Sequence, residues 1–288
     1  MSENVTGRIV TIRGNMITAA CDQRVVQNSI GYCCRDDGAR LLSEVIRVRG
    51  AHADLQVFEE TRGLKVGDKV EFQPEMLSAT LGPGLLGQIY DGLQNPLPRL
   101  AEGVGYFLEA GHYVDALEAD RKWAFTPKAS EGDTVRPGDV LGTVPEGIFE
   151  HHVMVPLSWE GEFKVASVAG EGEMSVTDEV AKLTDSDEGE HSVTMQQTWP
   201  VKIPLGHYRR RLLPSEPLVT RVRIVDSLFP VALGGTYCIP GPFGAGKTVL
   251  QQIIARHAEI DIVVVVACGE RAGEVVEVIT EFPELQDP

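Results

Sequence analysis

Gly241-Pro242-Phe243-Gly244-Ala245-Gly246-Lys247-Thr248 satisfies the pattern G-x-x-x-x-G-K-[ST], and no other stretch of the chain restricts its possible folds so tightly. The pattern works where a strand delivers the chain into a loop and a helix carries it away. Both flanks comply. Thr236 to Ile239 is rich in β-formers, and Lys247 to Ile260 places Val249, Ile253, Ile254 and Ala258 at helical spacing. At such a junction glycines let the backbone curl until successive N–H groups converge on phosphate oxygens, and the helix N-terminus adds a partial positive charge. Gly241, Pro242, Phe243, Gly244, Ala245, Gly246, Lys247, Thr248 and Val249 are therefore the expected cradle for the phosphates of ATP or ADP. Lys247 is expected to reach the β- and γ-phosphates, and the Thr248 hydroxyl to take a place on Mg²⁺.

Asp261-Ile262-Val263-Val264-Val265-Val266-Ala267 follows, a continuous run of the kind found in parallel strands buried on both faces. Strand, helix and strand together read as a βαβ unit. At the carboxyl end of the second strand stand Cys268-Gly269-Glu270-Arg271, where open α/β sheets place their ligands. A carboxylate at Glu270 can orient and deprotonate an attacking water, and Arg271 can pair with a carboxylate or with phosphate. Glu270 reads equally well as an acid favoured by the dipole of the helix expected from Ala272. Residue types alone leave both readings open.

Charge narrows the partners. Twenty-six basic residues against 42 acidic give a net charge of −16, which argues against a nucleic-acid surface and requires the phosphate loop to be locally positive. The sequence holds no apolar run of membrane-spanning length, and its start, Met-Ser-Glu-Asn, lacks the basic and apolar regions of a signal peptide. A cytoplasmic location is expected. Cys21, Cys33, Cys34, Cys238 and Cys268 have no C-x-x-C spacing and read as reduced thiols. His151-His152 is a poor metal pair, since adjacent strand residues point to opposite faces.

The 288 residues allow two or three domains. Arg8 to Ile12 and Met16 to Thr18 fold back at Arg13-Gly14-Asn15. Arg40 to Arg49, Leu55 to Phe58 and the Lys65-Val66-Gly67-Asp68 turn add further strands, so residues 1–72 suggest a small closed β-barrel. Leu81 to Leu97 reads as turn and short helix, within a segment (73–104) that opens the α/β nucleotide domain. Residues 105–190 return to β as an insert. Its Glu131 to Gly142 stretch resembles the Gly-Asp turns of biotinyl and lipoyl barrel-sandwich modules, although neither Lys128 nor Lys164 offers a carrier-lysine setting. The acidic run Asp185 to Glu190 reads as a solvated loop. Residues 191–288, after a connector broken at Pro200, Pro214 and Pro217, carry the P-loop part. The expected fold is mixed: β-barrel, β-rich insert and the start of a RecA-like α/β domain.

With these residues in place the chain resembles, along its whole length, the catalytic A subunit of V-type and archaeal-type rotary ATPases. The likeness rests on Pro217-Leu218-Val219-Thr220, Asp226-Ser227-Leu228-Phe229-Pro230, Gly234-Gly235-Thr236, the Gly-Pro-Phe-Gly loop and Cys268-Gly269-Glu270-Arg271. Leu81-Gly82-Pro83-Gly84-Leu85-Leu86, Glu281-Phe282-Pro283-Glu284-Leu285 and the insert itself, which B subunits and F-type β subunits lack, match the same family. The resemblance implies Mg-ATP hydrolysis or synthesis coupled to H⁺ or Na⁺ movement. It also implies an alternating A3B3 hexamer with B-type subunits, contacts to central-stalk and peripheral-stalk subunits, and a peripheral seat on the cytoplasmic face of the membrane. It places Glu270 at the catalytic glutamate position, with Arg271 beside it and Lys247 and Thr248 in their P-loop roles.

Two positions depart from the family's pattern. Ala245 stands where Ser or a regulatory Cys is common, which excludes a redox lock in the loop. Ala272-Gly273-Glu274 replaces the commoner Gly-Asn-Glu and suggests a divergent bacterial branch. No apolar run ending in a Walker B Asp follows the P-loop, so the chain is expected to be an N-terminal fragment of such a subunit, inactive by itself. A protein-export ATPase and an RNA translocase share the ancestral fold, but the insert argues against the first and the net charge against the second. A non-hydrolysing assembly module is the reading from another class.

Overall fold

A computed structural model describes residues 5–105, 107, 109–206, 212–242 and 244–281 of the chain. Tyr106, Phe243 and the Phe282-Pro283-Glu284-Leu285 stretch lie outside the described residues. The chain divides into two compact units, Met1–His207 and Tyr208–Pro288.

The first unit begins with six antiparallel strands: β1 (Thr6–Arg13), β2 (Met16–Cys21), β3 (Ser29–Cys34), β4 (Arg40–Arg49), β5 (His52–Val57) and β6 (Lys69–Met76). They close into a barrel in the order β1-β2-β5-β4-β3-β6, with β6 pairing back onto β1. Period-two alternation explains the closure, because it sends one apolar set inward from every strand. Ile9, Ile17, Ala19, Cys33, Leu41, Val45, Leu55, Val57, Val70 and Phe72 form that core. Register shifts at Ile9/Thr11 in β1 and at Val45/Arg47 in β4 bend the strands around it. The expected barrel is present, and β3 is the strand that sequence patterning missed. Ser29, Gly31 and Cys33 face inward there, and none of the three announces an apolar face.

Beyond the barrel come β7 (Ser78–Leu81) and a helix, α1 (Leu97–Val104), which starts later than the Leu81 to Leu97 reading expected. Pro96 precedes it and Pro98 sits in its first turn, where a missing N–H costs nothing. Eight strands follow: β8 (Lys122–Pro127), β9 (Thr134–Val135), β10 (Val140–Glu146), β11 (Phe149–Met154), β12 (Phe163–Val168), β13 (Gly172–Ser175), β14 (Glu179–Thr184) and β15 (Glu190–Thr194). They form two four-stranded sheets, ordered β11-β10-β8-β13 and β15-β14-β12-β9. Phe125, Leu141, Val144, Val153, Val155, Val165, Val180 and Leu183 fill a common core. A Cβ at Gly142 would lie 2.3 Å from the ring of Phe125, so only a glycine leaves room for that ring against β10. Then β16 (Gln197–Pro200) pairs with β7, so the strand leaving the insert lies against the strand entering it.

One turn recurs through this unit. At Lys65 to Asp68, Ser130 to Asp133, Arg136 to Asp139 and Ser175 to Asp178 the fourth residue is aspartate. Its N–H donates to the first residue's carbonyl at 2.9–3.2 Å, and its carboxylate accepts from the first residue's N–H at 2.7–2.8 Å. Each turn is thus closed at both ends by one side chain.

The second unit contains β17 (Pro217–Leu218), α2 (Arg223–Leu228), β18 (Val231–Ala232), α3 (Lys247–His257) and α4 (Ala272–Glu281). Its buried anchor is Thr220, whose hydroxyl donates to Asp226 at 2.6 Å while its N–H donates to the same oxygen at 3.0 Å. Helix α3 appears as expected but ends at His257 rather than Ile260. The strands expected over Thr236 to Ile239 and Asp261 to Ala267 are corrected by the structure: neither pairs with another strand among the described residues. Among the described residues neither segment has a strand alongside it. A parallel strand is stable only with hydrogen-bonding partners alongside and cover on its faces, and here Val264 and Val266 are 80% and 77% exposed.

The hydrogen bond from Ser175 N–H holds the Asp178 carboxyl below its usual range, with Lys122 at 3.2 Å adding to the effect. A depressed carboxyl stabilises the fold above the unfolded pKa and loses that contribution as pH falls through the folded one. Asp178→Asn is therefore expected to lower the thermal midpoint at about pH 7. The gap between variant and parent should narrow as pH falls below the ordinary aspartate range and through the lowered folded-state pKa. A midpoint difference that persists unchanged in acid would contradict this linkage.

Candidate phosphate-binding site

The loop from Gly241 folds into α3 through two glycines in the left-handed region, Gly244 at φ 77° and Gly246 at φ 80°, the latter capping the helix. A side chain at either position would be forced into a conformation that costs roughly 1–2 kcal/mol. Gly241 is closely approached instead: a Cβ there would sit 3.1 Å from that of Ala245, which would have to give by a few tenths of an ångström. Ala245 N–H donates to the Pro242 carbonyl at 3.3 Å, and Leu250 N–H donates to the Gly246 carbonyl at 3.0 Å. The N–H groups of Lys247, Thr248 and Val249 lie in the first helical turn, where no preceding turn supplies an intrahelical acceptor.

Lys247 is the first residue of α3, and its ammonium curls back to donate to the Gly241 carbonyl at 2.6 Å. The Pro242 carbonyl lies 3.4 Å away. The lysine is thus held over the mouth of its own loop. Val249 is 58% exposed on the helix surface. Phe243, also expected in the cradle, lies outside the described residues.

Thr248 donates its hydroxyl to the Glu274 carboxylate at 3.2 Å. That contact joins the starts of α3 and α4 and puts a carboxylate beside the hydroxyl expected to hold a cation. Sequence reading did not select Glu274 as a site residue: an acid in a first helical turn carries no signal of its own until its contact with Thr248 is seen. Glu270 and Arg271 are exposed, in the segment that follows Gly269 (φ 71°). The Arg271 carbonyl accepts from Val275 N–H at 3.1 Å and so opens α4. The acid in the first turn of that helix is Glu274, not Glu270. The dipole argument raised for Glu270 therefore applies more directly to Glu274.

The residues present fit a nucleotide phosphate and a divalent cation. The cradle is small-residue backbone with helix-terminal N–H groups, the one ammonium points across it, and the hard oxygens of Thr248 and Glu274 suit Mg²⁺. Among the described residues no cluster of three or more His, Cys, Asp or Glu side chains forms a metal site of its own. No helix among them is long and apolar enough to cross a membrane. Gly246→Ala is expected to destabilise the start of α3 by about 1 kcal/mol. Hydrogen exchange should then quicken at α3 amides and remain unchanged in the barrel. Equal protection of α3 in variant and parent would show that the left-handed turn is not needed.

The chain matches known families in three consecutive blocks. Residues 3–73 match the beta-barrel domain of the ATP synthase alpha/beta family, residues 114–202 the barrel-sandwich domain of ATP synthase alpha/beta subunits, and residues 221–287 the family's nucleotide-binding domain. The V-type ATP synthase alpha chain of Treponema denticola is 56% identical over 282 residues, which is 98% of this chain and 48% of that one. The V-type ATP synthase alpha chain 1 of Treponema pallidum is 54% identical over 282 residues, with the same two coverages. The V-type ATP synthase alpha chain of Borreliella afzelii is 50% identical over 285 residues, covering 99% of this chain and 49% of that one. The chain spans about half the length of these relatives. With a barrel, a barrel-sandwich and a P-loop unit following one another in the family's own order, the chain belongs to the ATP synthase alpha/beta family.

Proposed function

We propose that this chain is a part of the catalytic alpha subunit in the head of a V-type rotary ATPase, carrying its barrel, its insert and the phosphate-binding segment of its nucleotide domain. There Mg-ATP hydrolysis or synthesis would be coupled to movement of H⁺ or Na⁺ across a membrane. The observation that carries the reading is the Gly241 to Thr248 turn at the start of α3, with Thr248 bonded to Glu274, in a chain 56% identical to a V-type alpha chain. Gly241, Pro242, Phe243, Gly244, Ala245, Gly246 and Val249 are assigned to the phosphate cradle with Lys247 and Thr248. The domain division 1–72, 73–104, 105–190 and 191–288 is proposed with it.

Each residue then has a physical task. Lys247 exchanges its two carbonyl acceptors for phosphate oxygens and fixes their position by charge. Thr248, with Glu274 beside it, would hold Mg²⁺, which when bound neutralises charge on the β- and γ-phosphate oxygens. Glu270 orients the attacking water and accepts its proton. Arg271 pairs with a carboxylate or with developing negative charge. The partners proposed are B-type subunits in an alternating A3B3 hexamer, with central-stalk and peripheral-stalk subunits, on the cytoplasmic face of the membrane.

In the full-length subunit co-expressed with its B-type partner, Lys247→Ala is expected to abolish tight nucleotide binding, read by fluorescent-nucleotide titration. Unchanged affinity would remove the P-loop assignment. Glu270→Gln keeps size and hydrogen bonding while removing the base, so hydrolysis should fall by about 10²–10⁴-fold with ATP still bound. Full turnover in that variant would return Glu270 to an ordinary surface role.

A further inference from the structure

The second sheet of the insert ends at β15, which pairs with β14 along one edge and with no strand along the other among the described residues. Such an edge presents a row of N–H and C=O groups ready to pair with another chain. Ser192, Val193 and Thr194, three consecutive residues of β15, line a cavity of about 450 Å³. Consecutive strand residues point to opposite faces. A cavity touched by three in a row therefore follows the edge of the strand rather than one face of it.

The same trough is lined by Thr80 and Thr198, which pair with each other in β7 and β16, and by Trp159. The lining mixes hydroxyls and amides with apolar side chains, and Asp115 is the one charged residue in it. The turn that leads from β14 into β15 is acidic. Asp185 accepts a 2.7 Å hydrogen bond from His191 of β15, and the His191 ring lies 5.2 Å from that of Trp159. This ties the loop carrying Asp185, Asp187, Glu188 and Glu190 to the start of the strand. On the neighbouring strand Lys182, opposite Ser192, lies 3.7 Å from Glu179.

We propose that this trough docks an extended segment of a partner protein, which adds to β15 as a further strand and sets lysine or arginine side chains against the 185–190 loop. Backbone pairing supplies the affinity, and the acidic flank selects a basic segment. The inference does not depend on the nucleotide site.

The test uses the isotope-labelled chain and three synthetic eight-residue peptides: alternating Lys-Val, alternating Glu-Val, and the Lys-Val peptide with proline at two central positions. The Lys-Val peptide is expected to shift and protect amides of residues 190–194. Its affinity should fall several-fold when salt is raised from about 50 to 300 mM, and by a similar factor in an Asp187→Asn/Glu188→Gln chain. The proline peptide, lacking the N–H groups a ladder needs, should not protect β15. Protection by the Glu-Val or proline peptide equal to that by Lys-Val, protection confined to other elements, or no response to any peptide would each overturn the proposal.

Discussion

A β-strand carries unsatisfied N–H and C=O groups along both edges, and the regions of this chain are distinguished by how they meet that demand. The barrel meets it by closure: β6 returns to β1, and no edge is left. The insert meets it in part, with two four-stranded sheets sharing one core and their outer strands ending the ladders. In the second unit the valine-rich run at 261–267 has the composition of a buried strand and finds no neighbour among the described residues. Burial follows pairing. The first unit holds two extensive cores, whereas α3 buries none of its residues.

The join between barrel and insert includes a set of polar contacts beside the packing of Ala110 and the Tyr32–Tyr113 ring pair. The Tyr113 hydroxyl accepts from Leu42 N–H at 2.8 Å and donates to the Glu59 carboxylate, whose other oxygen accepts from Gly111 N–H at 2.9 Å. Burial and the adjacent carboxylate push the Tyr113 pKa up, so the phenol remains a donor. After the insert, Lys202 lies 2.7 Å from the buried carboxylate of Glu44 on β4. Both approaches to the insert are thus tied to the same barrel strand. A carboxylate as enclosed as Glu44 needs a charged or hydrogen-bonding partner, and Lys202 places one there.

Much of this was legible in the sequence because local chemistry and global fold agree. Alternation gave five barrel strands, and β3 escaped because Gly31 and Cys33 do not read as a hydrophobic stripe. The Gly241 to Thr248 pattern located the loop and its helix, since glycine spacing and the lysine are dictated by backbone geometry. Glu274 was missed because an acid in a first helical turn looks ordinary until the 3.2 Å contact with Thr248 is seen. The run after Asp261 shows the limit of such reading: composition states what a segment needs, and only tertiary context states whether it is supplied.

The pairing of β7 with β16 also governs the order of events in folding. Leu81 lies opposite Gln197, so the ladder joins positions separated by the whole insert. Hairpins such as β1–β2 close over a few residues within microseconds, whereas a contact across so long a chain carries a large search entropy. That entropy is removed once the insert has collapsed around its own core and brought its ends together. The two-stranded ribbon is therefore expected to form late, and a folding defect inside the insert is expected to reach the chain on either side through it.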